Sequence, residues 1–260
     1  MKRLAILVRI YYFILTRRYR ITIKGMDMLE APGAKLFLPN HQSHIDPQLI
    51  AVIAAQHCDF VPVVSESIVK IPVISYFLKK WNVVSVSDIK RGNRDPDVLK
   101  NIFSKVIDAL KRKKSVIIYP SGQISHTPNE KIHNKQSAFV IVSSLPKNTK
   151  VIGVRISGLW GSMWSVAWMG ERPSFILTFL KGIFYFFANL IFFSPKRDVT
   201  FEFIDITDKA KEMASTDRRS FNNYMEEFYN VNGPEKATYI KHFFFFPKSK
   251  RKYPANLVKG

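Results

Sequence analysis

A chain of 260 residues, 47% of them apolar, has enough material for one large domain with a full core, so global disorder is excluded. Its single cysteine, Cys58, excludes a disulfide framework and a cysteine-based zinc site and fits a reducing compartment. The net charge of +20, from 40 Lys/Arg against 20 Asp/Glu, leaves nucleic acid and an anionic membrane surface as the partners to separate.

The first segment, residues 1–19, mixes bulky apolar residues from Leu4 to Leu15 with Arg9, Arg17 and Arg18. No small-residue cleavage site follows, so it reads as a retained amphipathic or interfacial helix over 2–18, with a helix that simply covers the domain as the alternative. Residues 1–24 hold seven Lys/Arg and no acid, and residues 236–260 hold seven more and no acid. These two ends carry fourteen of the twenty net charges. Both are greasy as well as basic, the second through Phe243–Phe246 ahead of its lysines. Nucleic-acid tails are rarely so apolar, and no nucleic-acid-binding motif accompanies the charge. The expectation is an anionic membrane surface, where each Lys or Arg contributes about 1 kcal/mol, and no nucleic acid.

Strands are expected at 20–24, 35–39, 60–64, 82–87, 115–119, 150–156 and 198–204. Helices are expected at 47–56, 66–80 (kinked at Pro72), 96–112, 135–144 and 217–230. Over 96–112, Val98, Ile102, Val106, Ile107 and Leu110 recur at helical spacing. Strands 115–119 and 151–156 are continuously apolar after Ser115 except for Arg155, as strands buried on both faces should be. This alternation implies an α/β sandwich around a mixed, mostly parallel sheet. Residues 20–235 form the expected main domain, and 236–260 a basic aromatic tail.

Within that domain, Phe175–Phe193 is nineteen residues long with eight aromatics and one charge, Lys181, flanked by Arg172 and by Lys196-Arg197. Its length lies at the threshold for a membrane span. It falls between strands of one sheet, so residues 174–194 are expected to be a helix or hairpin dipping into one leaflet. A single span or a buried core helix is the alternative.

Reactive groups in an α/β sheet gather in loops at strand ends. The first such loop reads Pro39-Asn40-His41-Gln42-Ser43-His44-Ile45-Asp46-Pro47. A carboxylate that accepts from one imidazole nitrogen fixes the tautomer and leaves the other nitrogen free as a base. His41 with Asp46 is therefore the candidate catalytic pair, Asn40 and Ser43 its support, and His44 the rival base. The same spacing also suits a helix start, with Asp46 as N-cap and Pro47 at the first helical position. The second loop is Tyr119-Pro120-Ser121-Gly122-Gln123-Ile124-Ser125, and the third Ser157-Gly158-Leu159-Trp160-Gly161-Ser162. Either glycine loop can be an ordinary tight turn, or it can bring backbone N–H groups to a ligand oxygen.

The order and spacing of these blocks resemble the glycerol-phosphate and lysophospholipid acyltransferase family. Its signature opens with Asn-His-x-x-x-x-Asp, as Asn40-His41 to Asp46 does. Tyr119-Pro120-Ser121-Gly122 is similar to its later aromatic-Pro-Glu-Gly-Thr-Arg block, and Val151-Ile152-Gly153-Val154 to its Val-Ile-Pro-Val strand. Val86 to Arg94 stands where the family has an arginine-bearing block. Ser121 replaces the family's glutamate, and Ile124 replaces an arginine that helps grip an acceptor phosphate. The resemblance spans roughly 20–205 and leans toward the subgroup that reacylates lysophospholipids.

What the resemblance implies is direct acyl transfer from acyl-CoA or acyl-acyl carrier protein to the hydroxyl of a lysophospholipid or related lyso-lipid. His41 would be the general base and Asp46 its orienting partner. Tyr119, Pro120, Ser121, Gly122 and Gln123 would form an oxyanion or acceptor loop, with backbone N–H groups near Gly122 as donors. Arg91, Arg94 and Arg155 would be candidate substrate contacts, Arg155 having a structural ion pair as its alternative. No metal and no cofactor is needed, because the acyl thioester is a co-substrate. The expected location is the cytoplasmic face of a membrane (the inner one in a bacterium), peripheral or monotopic. The competing reading, motivated by Ser121 and Ile124, is a catalytically inactive membrane-binding module on the same fold. An esterase or thioesterase lacks support, since no Gly-x-Ser-x-Gly elbow is present.

Overall fold

The structure, a computed structural model, describes residues 2–65, 84–86, 96–241 and 257–259. In chain order the elements are α1 (Lys2–Arg18), β1 (Tyr19–Lys24), α2 (Met26–Glu30), β2 (Lys35–Pro39), α3 (Asp46–His57), β3 (Phe60–Ser65), β4 (Val84–Val86), α4 (Pro96–Lys111) and β5 (Ser115–Ile117). There follow α5 (Ser137–Val142), β6 (Lys150–Ser157), a 3₁₀ turn at Val166–Trp168, α6 (Phe175–Ala188), β7 (Arg197–Asp205), α7 (Thr207–Thr216), α8 (Arg218–Asn230), β8 (Ala237–Tyr239) and β9 (Leu257–Lys259). The helix expected at 66–80 lies outside the described residues.

Seven strands form one sheet in the order β1-β7-β6-β2-β5-β3-β4. Strands β2 to β6 run parallel to one another. β7 is antiparallel to β6 and carries β1 parallel to itself at the edge. The sheet is thus mixed and mostly parallel. Side chains alternate across β2: Leu36 and Leu38 enter one core, and Phe37 enters the other. The Phe37 core is closed by α1, α2 and α3, and the Leu36–Leu38 core by α4, α5, α7 and α8, which makes a three-layer α/β sandwich. On α4 the apolar stripe buries Val106 and Leu110 and half-buries Ile102. α8 starts where Asp217 accepts from the N–H groups of Arg219 (2.6 Å) and Ser220 (2.9 Å), a side-chain N-cap.

Several elements differ from expectation, among them the short helix α2, which is absent from the expected elements. α7 is short and polar in composition, and it forms because Ala210 and Ala214, four residues apart, fit against the sheet. β5 ends at Ile117, two residues early, because the chain turns at Tyr119-Pro120. Residues 236–260, expected as a tail, return Ala237–Tyr239 to the body as β8. Ala237 is fully buried, and the Thr238 N–H donates to Trp160 O (3.0 Å). β9 pairs with β8 in parallel.

α1 packs on the domain through Val8 and Leu15, and its Tyr11 hydroxyl donates to Gln48 of α3. Its opposite side leaves Ile6, Ile10, Phe13 and Ile14 exposed. α6 joins the same core through Phe175 and leaves Ile176, Leu177, Leu180, Phe184 and Phe187 in solvent. With 14 residues, α6 is about 21 Å long, short of the roughly 30 Å of a bilayer core. Among the described residues, no helix is long and apolar enough to cross a membrane. The chain leaves β6 and re-enters at β7, an antiparallel neighbour with Ser157 opposite Thr200, so both flanks of the aromatic segment meet the same end of the sheet. Arg197, one of the cations flanking the aromatic segment, is buried. Its guanidinium donates to Gly158 O (2.8 Å) and Thr238 O (2.7 Å), tying β7 to β8. Burial pushes its pKa down to about 10.

Candidate active site

β2 delivers His41 to the end of the sheet, and Asn40 fixes where the strand stops. The Asn40 backbone N–H donates to Val154 O (3.3 Å), its amide donates to Ile156 O (3.0 Å), and its carbonyl oxygen accepts from the Ile156 N–H (2.7 Å). One side chain thus prolongs the β2–β6 pairing past Pro39. The chain then turns and enters α3 at Asp46. Ile45 occupies the cap position, so Asp46 is the first helical residue rather than the N-cap.

Asp46 is fully buried, and all its bonds go to the loop it closes. Its Oδ2 accepts from His41 Nδ1 (3.2 Å) and from the Ser43 N–H (2.9 Å), and its Oδ1 accepts from the Ser43 hydroxyl. A carboxylate that accepts from Nδ1–H leaves the Nε2 lone pair free of this contact, an arrangement that can serve proton abstraction. The partial positive charge at the α3 N-terminus favours the carboxylate there. The imidazole is 13% exposed. It lies against the Tyr119 ring at a centroid distance of 4.2 Å, which brings the second loop to the first.

The backbones of the two loops are also joined: the Ser125 N–H donates to His41 O (2.6 Å). Within the second loop Pro120 and Ser121 are buried, Gln123 is half-buried, and the Ser121 hydroxyl donates to Gln123 O (3.0 Å). The Gly122 N–H donates to Tyr119 O (3.0 Å) and closes the turn. Ile124 is fully buried in an apolar cluster with Trp160, Val166, Ala167 and Ala237. No cation reaches an acceptor from that position.

Arg155 meets Glu202 on the neighbouring strand (Nε–Oε2 3.2 Å), and its guanidinium lies over the Phe228 ring (4.9 Å). With Glu202, Lys24, Gln42 and Glu235 it lines a polar cavity of about 340 Å³, of which His41 is not a lining residue. Arg91 and Arg94 lie outside the described residues. The third loop is architectural. Gly161 (φ +89°) lets β8 approach, since a Cβ there would lie 2.5 Å from Thr238 N, and Gly158 (φ +95°) does the same for the β7 backbone at Asp198. His44 bonds to other partners. Its Nε2 lies 3.1 Å from Pro173 O, its ring meets Phe175 edge-on, and its N–H donates to Trp164 O (3.1 Å). Burial, then the neighbouring His41 and Arg172, lower its pKa from 6.5 to about 4.

Residues that sequence reasoning passed over complete the loop. Glu130 is buried and accepts from the His41 N–H (3.1 Å) and the Ser125 hydroxyl. Gln42 donates to Glu235, whose other oxygen accepts from the Gly158 N–H (2.7 Å). One signal for Glu130 is present in the sequence: it is the only acidic residue between Asp108 and Glu171.

The three-layer α/β fold thus presents a histidine at a strand end against a buried carboxylate. The family model described as Acyltransferase matches residues 20–157, which span the sheet from β1 to β6 and contain both loops, and the chain belongs to that family. It is an acyltransferase. Comparison with curated proteins gives no match. Among solved structures it is similar to the 1-acyl-sn-glycerophosphate acyltransferase PlsC from Thermotoga maritima, with a TM-score of 0.53 and 17% identity over 89% of this chain and 77% of that one. At that identity the likeness is one of fold, and it matches the sheet and layers described above.

Proposed function

We propose that the protein transfers a fatty acyl chain from acyl-CoA or acyl-acyl carrier protein to the hydroxyl of a lysophospholipid or related lyso-lipid at a membrane surface. The observation that carries this reading is the His41–Asp46 pair, with Nδ1 on a buried carboxylate. In the reaction, His41 Nε2 takes the acceptor's hydroxyl proton as the oxygen attacks the thioester carbonyl. The tetrahedral intermediate collapses with loss of the thiolate, which recovers the proton from the imidazolium and leaves as a thiol. Asp46 holds the ring and stabilises its cationic form. General-base action contributes about 10²–10⁴-fold, and positioning of the two substrates much of the rest.

The surface supports the membrane part of the proposal. The exposed apolar residues of α1 and α6 stand against one core and exceed the scattered apolar exposure of ordinary soluble surfaces. Arg9, Lys181 and Lys196 accompany them, in a chain of net charge +20. Burying four such side chains in lipid is worth on the order of 6 kcal/mol. The buried Ile124 favours an acceptor other than a phosphomonoester, in line with the lysophospholipid-reacylating subgroup. The experiment is lipid mass spectrometry after incubation with labelled acyl-CoA and a panel of lyso-acceptors. A labelled diacyl product is the expected result. Thioester hydrolysis without any acylated lipid would overturn the proposal.

A further inference from the structure

The backbone of His41 is clamped on both sides, and the clamp closes on one carboxylate. The His41 N–H donates to Glu130 Oε2 (3.1 Å), the same oxygen accepts from the Ser125 hydroxyl, and the Ser125 N–H donates to His41 O (2.6 Å). These three bonds form a ring that ties down both peptide units flanking His41. Glu130 is itself held in place, because Asn230, at the end of α8, donates to Glu130 O (2.9 Å) and accepts from the Glu130 N–H (2.8 Å). The Ser121 hydroxyl lies against the carboxylate. Burial raises the Glu130 pKa above the usual carboxyl value, and the Ser125 hydroxyl and the His41 N–H only partly offset it. A buried carboxylate is a costly way to accept two hydrogen bonds unless the charge or the rigidity serves the site.

We propose that Glu130 is a positioning residue for acyl transfer: its carboxylate, seated between the Ser121–Ser125 loop and the end of α8, fixes the His41 backbone so that the ring stays on Asp46 with Nε2 presented to the acceptor hydroxyl. The role rests on the acyl-transfer reading above and adds a residue to it. Ser121 is the position from which a longer acidic side chain would reach the same space.

The test uses the full chain with acyl-CoA and whichever lyso-acceptor the wild type acylates, with His41→Ala as the inactive reference. Glu130→Ala is expected to lower kcat about 10²-fold with KM within about twofold, because misplacement of about 1 Å is felt at that scale. Adding Ser121→Glu to Glu130→Ala is expected to restore about tenfold or more of the lost kcat, by returning a carboxylate to the His41 N–H. A folded Glu130→Ala with kcat within twofold of wild type overturns the proposal, as does a loss confined to KM or a double variant no better than the single. Should Glu130→Ala not fold, Glu130→Gln decides on the same split: about tenfold lower kcat at unchanged KM supports the role, and unchanged kcat overturns it. A second readout needs no substrate. The low-field Nδ1 proton of His41 in the proton NMR spectrum reports the bond to Asp46, and replacing Glu130 is expected to shift or broaden it. An unaltered signal overturns the positioning role even if the acyl acceptor has been misread.

Discussion

Replacing Asp46 with asparagine separates the chemistry of the pair from its architecture. The carboxylate accepts three hydrogen bonds: from His41 Nδ1 at 3.2 Å, from the Ser43 N–H at 2.9 Å and from the Ser43 hydroxyl. The asparagine carbonyl can occupy the Oδ2 position and keep the first two. Its NH₂ then faces the Ser43 oxygen, which accepts once its own proton rotates away. The second amide N–H and the displaced Ser43 proton must find new acceptors in a buried site, so the fold should lose about 1–3 kcal/mol. Catalysis loses more. The imidazolium formed on proton abstraction no longer faces a negative charge, and the amide no longer enforces the Nδ1–H tautomer. A loss of about 10²–10⁴-fold in kcat follows. The assay is thiol release coupled to mass detection of the acylated lipid, alongside thermal unfolding of both proteins. Near wild-type kcat in a folded Asp46→Asn protein would refute the reasoning, because the geometry alone would then suffice.

Two further predictions test the surroundings of the pair. His44 is held neutral, with a folded pKa of about 4 against 6.5 for the free side chain. Between those values the unfolded chain binds the proton and the folded one does not. Stability therefore falls as pH drops through that window, by up to about 3 kcal/mol. Denaturant unfolding at pH 7 and pH 4.5 should show a smaller acid loss in His44→Gln than in wild type, and equal losses would contradict the account. On α6, Phe184→Glu with Phe187→Glu should leave unfolding within about 0.5 kcal/mol, since both rings are exposed. The same change should weaken partition onto anionic vesicles by about 10²-fold, and wild-type partition should fall with added salt. Unchanged vesicle binding, or no response to salt, would sink the assignment of this face.

What was legible in the sequence was local. His41 and Asp46 sit five residues apart, within one strand end and one helix start, so their meeting needs only a turn. The apolar runs of β2, β5 and β6 mark central strands because each must bury both faces. Non-local placement was not legible. β1 adjoins β2 in sequence with only α2 between them, yet it pairs with β7 across the far side of the sheet. No periodicity records that crossing. Arg197 reads as a cation beside an aromatic segment, and its burial depends on two carbonyls, at Gly158 and Thr238, that approach from distant loops. The role of Glu130 is hidden for the same reason, although its isolation as an acid between Asp108 and Glu171 marks the residue. It lies 89 residues from His41 and reaches it because Asn230 anchors its backbone. The outer faces of α1 and α6 were legible as apolar patches, because sequence shows hydrophobic residues whether or not a core covers them.

The central claim is that His41 removes a proton from a lipid hydroxyl so that the oxygen can attack an acyl thioester. Its most direct test is a single-turnover incubation of purified wild type and His41→Ala with labelled acyl-CoA and the lyso-acceptor panel, read by lipid mass spectrometry. The account predicts a labelled diacyl product with wild type and a loss of at least about 10²-fold with the folded variant. Undiminished transfer by His41→Ala would contradict it.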